Sequence, residues 1–187
     1  SRTAGIQRFE LDENQRYVLF GAAYETSRKG GDLLLKALEH LGGRDDITAL
    51  TFGSTDVRSV DNQVPTHTLG NLSESELRLA YNTADVTVVP SREDNLPNIA
   101  VESIASGTPC VAFDVGGLSD IIDHKQTGYL AEPLEPSDLA KGIEWTIADE
   151  ERRSQLSERA RTVSQQRFAI ESVVTRYREL YESVLED

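Results

Sequence analysis

Residues 86–117 read VTVVPSREDNLPNIAVESIASGTPCVAFDVGG: a short apolar run, a polar loop, a helix-length segment stopped by Gly107-Thr108-Pro109, and a second apolar run. Two buried strands separated by a helix cannot close as a tight hairpin, so this order predicts a parallel crossover. The alternation recurs. Residues 17–20 form an apolar run ending at Gly21, and Leu34, Leu38 and Leu41 then recur at helical spacing up to Gly42-Gly43. Residues 47–52 and 67–69 read as two further strands. Ser73 with Glu76 forms a capping box ahead of Leu77, Ala80, Tyr81 and Ala84. Residues 86–89 and 109–113 are the fourth and fifth strands, and this βαβ rhythm predicts an α/β fold: a doubly wound, Rossmann-like parallel sheet flanked by helices.

A chain of 187 residues holds one well-cored domain, and the expectation is a single domain over 1–187. With no Met and a Ser at position 1, the chain is expected to be a piece of something longer. No apolar run reaches the roughly 18 residues of a membrane span. Net charge of -13 argues against a nucleic-acid partner, which requires clustered Lys and Arg. Only Lys29, Lys36, Lys125 and Lys141 are lysines, against 32 acidic residues. Such a balance suits a protein kept soluble in concentrated salt, or a mildly acidic cytosolic one. The lone Cys110, at the head of an apolar strand, reads as a small buried hydrophobe.

Beyond Gly117, LSDIID reads as a short helix and Pro136 opens another, after which the chain is expected to be helical to its end. Val173, Tyr177, Leu180, Tyr181 and Val184 make an apolar stripe there. It either covers this domain's own core or reaches a partner domain.

The chemistry concentrates in two loops that follow strands. Lys29 lies beside Arg28 and before Gly30-Gly31, where an ammonium could meet a phosphate with the glycines allowing close backbone approach, the alternative being an ordinary surface lysine in a turn. Asp94 lies in the loop after the fourth strand, and Glu102 follows eight residues on, inside the helix. Were both helical, about 12 Å of rise would separate them, so a ligand touching both is long and carries hydroxyls at two places. A nucleotide sugar has that shape. Glu102 in an otherwise apolar short helix needs a hydrogen-bond partner, which ribose hydroxyls would supply. Asn95 or Asn98 either caps that helix or leaves its N–H groups to phosphate. His40, His67 and His124 are scattered and make no metal set, and no Asp-x-Asp pair, Walker loop or G-x-S-x-G elbow occurs.

Four ordered segments, FGAAYETSRKGGDLLLKAL, LGNLSESELRLAYNTADVTVVPS, DNLPNIAVESIASGTPCVAFDVGG and TGYLAEP, resemble the C-terminal half of retaining GT-B glycosyltransferases of family 4, also called group 1. The resemblance implies a donor-binding half that takes a nucleoside diphosphate sugar, with the acceptor bound by an absent N-terminal domain. It implies that Lys29 neutralises the diphosphate, that Glu102 holds the ribose, and that Asp94, Asn95, Leu96, Pro97 and Asn98 meet sugar and phosphates. Gly21, Ala22 and Arg28 would border the phosphates, and Gly70 and Leu72 the base. No metal cofactor is expected. Such an enzyme works in the cytoplasm or, through the missing domain, at the inner membrane surface, in polysaccharide, glycolipid or glycoconjugate synthesis. Two departures stand out. Asp94 occupies a position where the family has Glu, and Ala22-Ala23 stand where it often has Arg. A catalytically retired donor-like interaction domain and a nucleotide-sugar 2-epimerase are the alternatives.

Overall fold

The computed structural model describes residues 1–21, 27–53 and 64–185. Within them, six strands form one parallel sheet: β1 (Arg16–Gly21), β2 (Ile47–Phe52), β3 (Thr66–Thr68), β4 (Val86–Val89), β5 (Cys110–Phe113) and β6 (Gly128–Ala131). Their order is β3-β2-β1-β4-β5-β6, so the chain winds outward from β1 in one direction and from β4 in the other. The expected α/β doubly wound architecture is therefore observed.

The central strands are buried along their length, and successive side chains enter opposite faces with a period of two, as a sheet covered on both faces requires. Val18 and Phe20 of β1, Val86 and Val88 of β4, and Val111 and Phe113 of β5 enter one core. That core is closed by Leu34 and Leu38 of α2 (Gly31–His40) and by Leu139 and Ile143 of α6 (Pro136–Ile147). On the other face Tyr17, Leu19 and Leu50 meet Ala80 and Tyr81 of α3 (Glu74–Thr83). Beside them Val89, Cys110 and Ala112 meet Ala100 and Ile104 of α4 (Asn98–Ser106), with Leu118 and Ile121 of α5 (Leu118–Ile121). Cys110 is fully buried there, and burial pushes its thiol well above the ordinary range, as suits a core residue.

Three elements depart from expectation. The opening polar stretch is a helix, α1 (Arg2–Arg8), packed on α3 and tied by Arg2 to the Thr83 and Gln15 carbonyls at 2.5 and 2.8 Å. Gly5 permits that approach, since a Cβ there would overlap the Thr83 hydroxyl. Residues 128–131 add a sixth strand beside β5, where Gly128 admits the Cys110 carbonyl. The C-terminal helix is two helices, α7 (Glu150–Phe168) and α8 (Ile170–Leu185), divided at Ala169, whose ψ of 142° is extended. No glycine or proline announces that break. The apolar stripe of α8 does not cover the domain's own core: no residue of α8 is buried, and Tyr177, Tyr181 and Val184 are 56%, 63% and 65% exposed. Among the described residues no helix is long and apolar enough to cross a membrane.

Candidate donor-binding site

In a doubly wound sheet the crevice opens at the carboxyl ends of the two central strands that lead in opposite directions, here β1 and β4. The two chemistry-bearing loops leave the sheet at those ends. β1 ends at Gly21, and Ser27–Lys29 is a single 3-10 turn leading to Gly30 and α2. β4 ends at Val89 and is followed by Pro90, Ser91 and the loop to α4.

Four contacts stitch these loops together. Gly30 has φ +67°, and a Cβ there would sit 1.8 Å from the Pro90 carbonyl oxygen, so only glycine lets the two backbones touch. The Arg92 backbone N–H donates to the Arg28 carbonyl at 2.8 Å. The Arg92 guanidinium binds both oxygens of Asp32 at 2.8 and 2.7 Å, and this pairing holds the Asp32 carboxyl below its usual range. Finally, the Lys29 ammonium donates to Asp94 Oδ2 at 2.7 Å. The Ser91 hydroxyl, on a residue 1% exposed, lies 3.5 Å from the same oxygen.

Lys29 and Asp94 thus line one cleft of about 270 Å³, with Gly21, Leu96, Pro97 and Asn98. Gly21 packs closely against α4, and a Cβ there would lie 2.4 Å from Ile99 Cδ1, so the Ile99 side chain would have to turn aside. The N-cap of α4 is Pro97, and no side chain caps the helix, so neither Asn95 nor Asn98 does so. Helix geometry leaves the Asn98 and Ile99 amides without intrahelical partners, and both residues line the cleft. An ammonium has three N–H donors. One serves Asp94, leaving two for oxygens of a ligand. A cation and an open helix N-terminus converging at a switch point can hold a diphosphate.

The loop bearing Asp94 is shaped from behind. Gly116 and Gly117 lie against it, and a Cβ on either would fall 2.1 Å from the Asp94 carbonyl oxygen or 1.8 Å from that of Asn95. The Gly117 N–H donates to the Asp94 carbonyl at 2.9 Å. Neither Ser91 nor the Asp32–Arg92 pair stood out in the sequence. The Gly116-Gly117 doublet was the one visible signal.

Glu102 is placed differently. It is exposed and lines a neighbouring groove between α3 and α4 with Leu77, Arg78 and Tyr81. The Tyr81 hydroxyl donates to Glu102 Oε2 at 2.9 Å, so the protein itself supplies a partner, contrary to the need inferred for it from sequence. Burial, with the Glu102 charge, pushes the Tyr81 phenol well above its ordinary range, so it remains a donor. Asn98 and Glu102 lie on one helix about 6 Å apart in rise, and a ligand reaching both must run along α4. Arg28 is exposed and Asn95 also faces solvent; neither lines the Lys29 cleft. Gly70 has φ +72° and accepts from the Gly53 N–H at 2.8 Å, while Leu72 packs half-buried beside α3. Ala22 and Ala23 lie outside the described residues. Of the histidines, His124 is structural: its Nδ1 accepts from the Leu130 N–H at 3.1 Å.

Sheet order, helices on both faces and paired loops at the switch point define a Rossmann-like α/β domain of the GT-B glycosyltransferase type. The model of the glycosyl transferases group 1 family matches residues 1–163, and the chain belongs to that family. It is 33% identical over 174 residues to a D-inositol 3-phosphate glycosyltransferase of Xylanimonas cellulosilytica, covering 88% of this chain and 42% of that protein. Its fold matches a sucrose-phosphate synthase of Thermosynechococcus elongatus with a TM-score of 0.82 at 24% identity, over 98% of this chain and 49% of the other. It also matches Anabaena HepE, solved in complex with UDP-glucose, with a TM-score of 0.79 at 20% identity, over 97% of this chain and 52% of the other. The chain spans about half or less of each of these proteins.

Proposed function

We propose that this chain is the donor-binding half of a retaining glycosyltransferase that moves a sugar from a nucleoside diphosphate sugar to an acceptor. The observation that carries this reading is the single cleft in which the Lys29 ammonium and the uncapped N-terminus of α4 face one another across loops from β1 and β4. Cleavage of the sugar–diphosphate bond puts charge on the departing diphosphate. Fixed positive groups that meet it favour the transition state over the ground state. Lys29 and the α4 amides are that positive end, and the charge can be met without a metal.

Asp94 has two tasks in this reading. Its carboxylate orients Lys29, and its loop approaches the transferred sugar. Glu102 receives the ribose hydroxyls alongside the Tyr81 hydroxyl. The UDP-glucose complex of HepE, a protein of the same fold, supports the donor class. The acceptor belongs to an N-terminal half, and the exposed apolar stripe of α8 is available to pack against it.

The test is a pair of substitutions in the full-length enzyme. Glu102→Gln should weaken nucleoside diphosphate binding by about 1–3 kcal/mol, the range for hydrogen bonds to a charged group. Asp94→Asn, whose amide oxygen still accepts from Lys29, should lower turnover far more than it alters that binding, because its sugar contact matters where the bond breaks. Equal losses of nucleotide affinity in both variants would refute the division, and absence of any nucleotide binding would refute the donor reading.

A further inference from the structure

At the opposite, amino-terminal edge of the sheet the charge balance of this acidic chain reverses. Asp85, just before β4, is a fully buried carboxylate on which three guanidiniums converge: Arg2 at 3.1 Å, Arg16 at 3.5 Å, and Arg153. One carboxylate cannot neutralise three cations. Arg153, Ser157 and Arg161 are spaced by four along α7, which brings them to one helix face above the C-terminus of α4. Together with Arg2 and Ser154 they wall a cleft of about 260 Å³. The other carboxylate lining it, Glu150, is 79% exposed and approaches Arg153 only to 3.8 Å.

The donor capacity of these arginines is not used up. Arg161 gives two N–H groups to the Ser106 carbonyl at 3.4 and 3.3 Å. Arg153 engages Asp85 through Nη1, yet its Nε is buried with no hydrogen-bond partner. Burial, with the nearby Arg16 and Arg2 charges, holds Arg153 down to about 10. Each guanidinium has five N–H donors, so Arg153 and Arg161 both keep N–H groups to offer. Planar guanidinium forks beside serine hydroxyls are a donor set suited to the several oxygens of phosphate.

We propose that this cleft is a binding site for a phosphate group, presented by a small phosphate monoester or as free phosphate, distinct from the donor cleft. Asp85 and Pro90 mark the two edges of the sheet, five residues apart on an extended strand, or about 17 Å. One phosphate cannot span them.

The test is calorimetry at constant ionic strength in the intact protein carrying Lys29→Ala, so that the donor cleft does not compete. Inorganic phosphate and glycerol phosphate are titrated separately, with chloride as control. Saturable binding is expected, weakened at least tenfold by adding Arg161→Gln and likewise by adding Ser157→Glu, which places a carboxylate in the cleft. Both positions lie at the surface, and circular dichroism checks that each variant is folded. Tighter binding of glycerol phosphate than of phosphate would assign the site to a monoester, and equal binding to the phosphate group alone. Loss of all saturable binding in Lys29→Ala, with binding present in its parent, would overturn the proposal. So would an affinity unchanged by both cleft substitutions, or a response that chloride reproduces.

Discussion

Gly30→Ala tests whether the two site loops truly depend on backbone contact. Two costs add at this position. The residue has φ +67°, and an L side chain in the left-handed region costs about 1–2 kcal/mol. The added Cβ would also sit 1.8 Å from the Pro90 carbonyl oxygen, a backbone atom that moves only if the Lys29 and Asp94 loops part. Overpacking of this kind costs about 1–3 kcal/mol. The expected loss is therefore about 2–5 kcal/mol in urea unfolding, or about 4–20 °C in Tm for a chain of this size. Gly43 supplies the internal control, since it has φ +83° and no described residue lies within 4 Å of where a Cβ would stand. Gly43→Ala should lose only the conformational part, about 1–2 kcal/mol. Nucleoside diphosphate affinity should fall in Gly30→Ala and hold in Gly43→Ala. Equal destabilisation of the two variants, with equal nucleotide binding, would refute the claim that this contact sets the cleft.

Asp85→Asn should cost about 2–4 kcal/mol in urea unfolding, because removing the buried acid leaves three partly buried guanidiniums without their counter-charge; a loss under about 1 kcal/mol would show that they relax into solvent instead. Glu76 is held near pH 2, from an ordinary value of 4.5, first by the Ser73 hydroxyl and backbone N–H and then by Arg8. A carboxyl lowered on folding contributes stability above its ordinary value and loses it as pH falls toward the folded one. The wild type should thus lose more stability than Glu76→Gln between about pH 5 and pH 2.5, and parallel losses would remove the capping box from the acid response. Finally, with a net charge of -13, screening by molar salt should raise the melting midpoint between about 0.1 M and 2 M potassium chloride. An unchanged or lower midpoint would favour an ordinary acidic protein over a salt-adapted one.

Much of the site was legible because its parts are local. Lys29 beside two glycines and Asp94 ahead of a helix are patterns confined to a few residues, and each follows an apolar run readable as a strand. Glu102 was legible as a carboxylate out of place in an apolar segment, but its partner was not. Tyr81 lies twenty-one residues earlier in the chain, and only the packing of α3 on α4 brings its hydroxyl there. The reach of Arg92 to Asp32, sixty residues away in sequence, was equally invisible.

By itself, the sequence determined the parallel α/β class, because residues alternating along strands such as Val18-Leu19-Phe20 must be buried on both faces when both are apolar. It also determined that loops bearing Lys29 and Asp94 follow the first and fourth strands. Tertiary structure alone decided that β1 and β4 lie side by side, and hence that those two loops share a cleft. It also decided that the Lys29 ammonium is already held by Asp94, that four arginines gather near Asp85, and that the stripe of α8 faces outward. The reason is physical: periodicity and capping state which face of an element is apolar and where it ends. Which two surfaces then meet depends on contacts between residues far apart in the chain, and no local pattern encodes them.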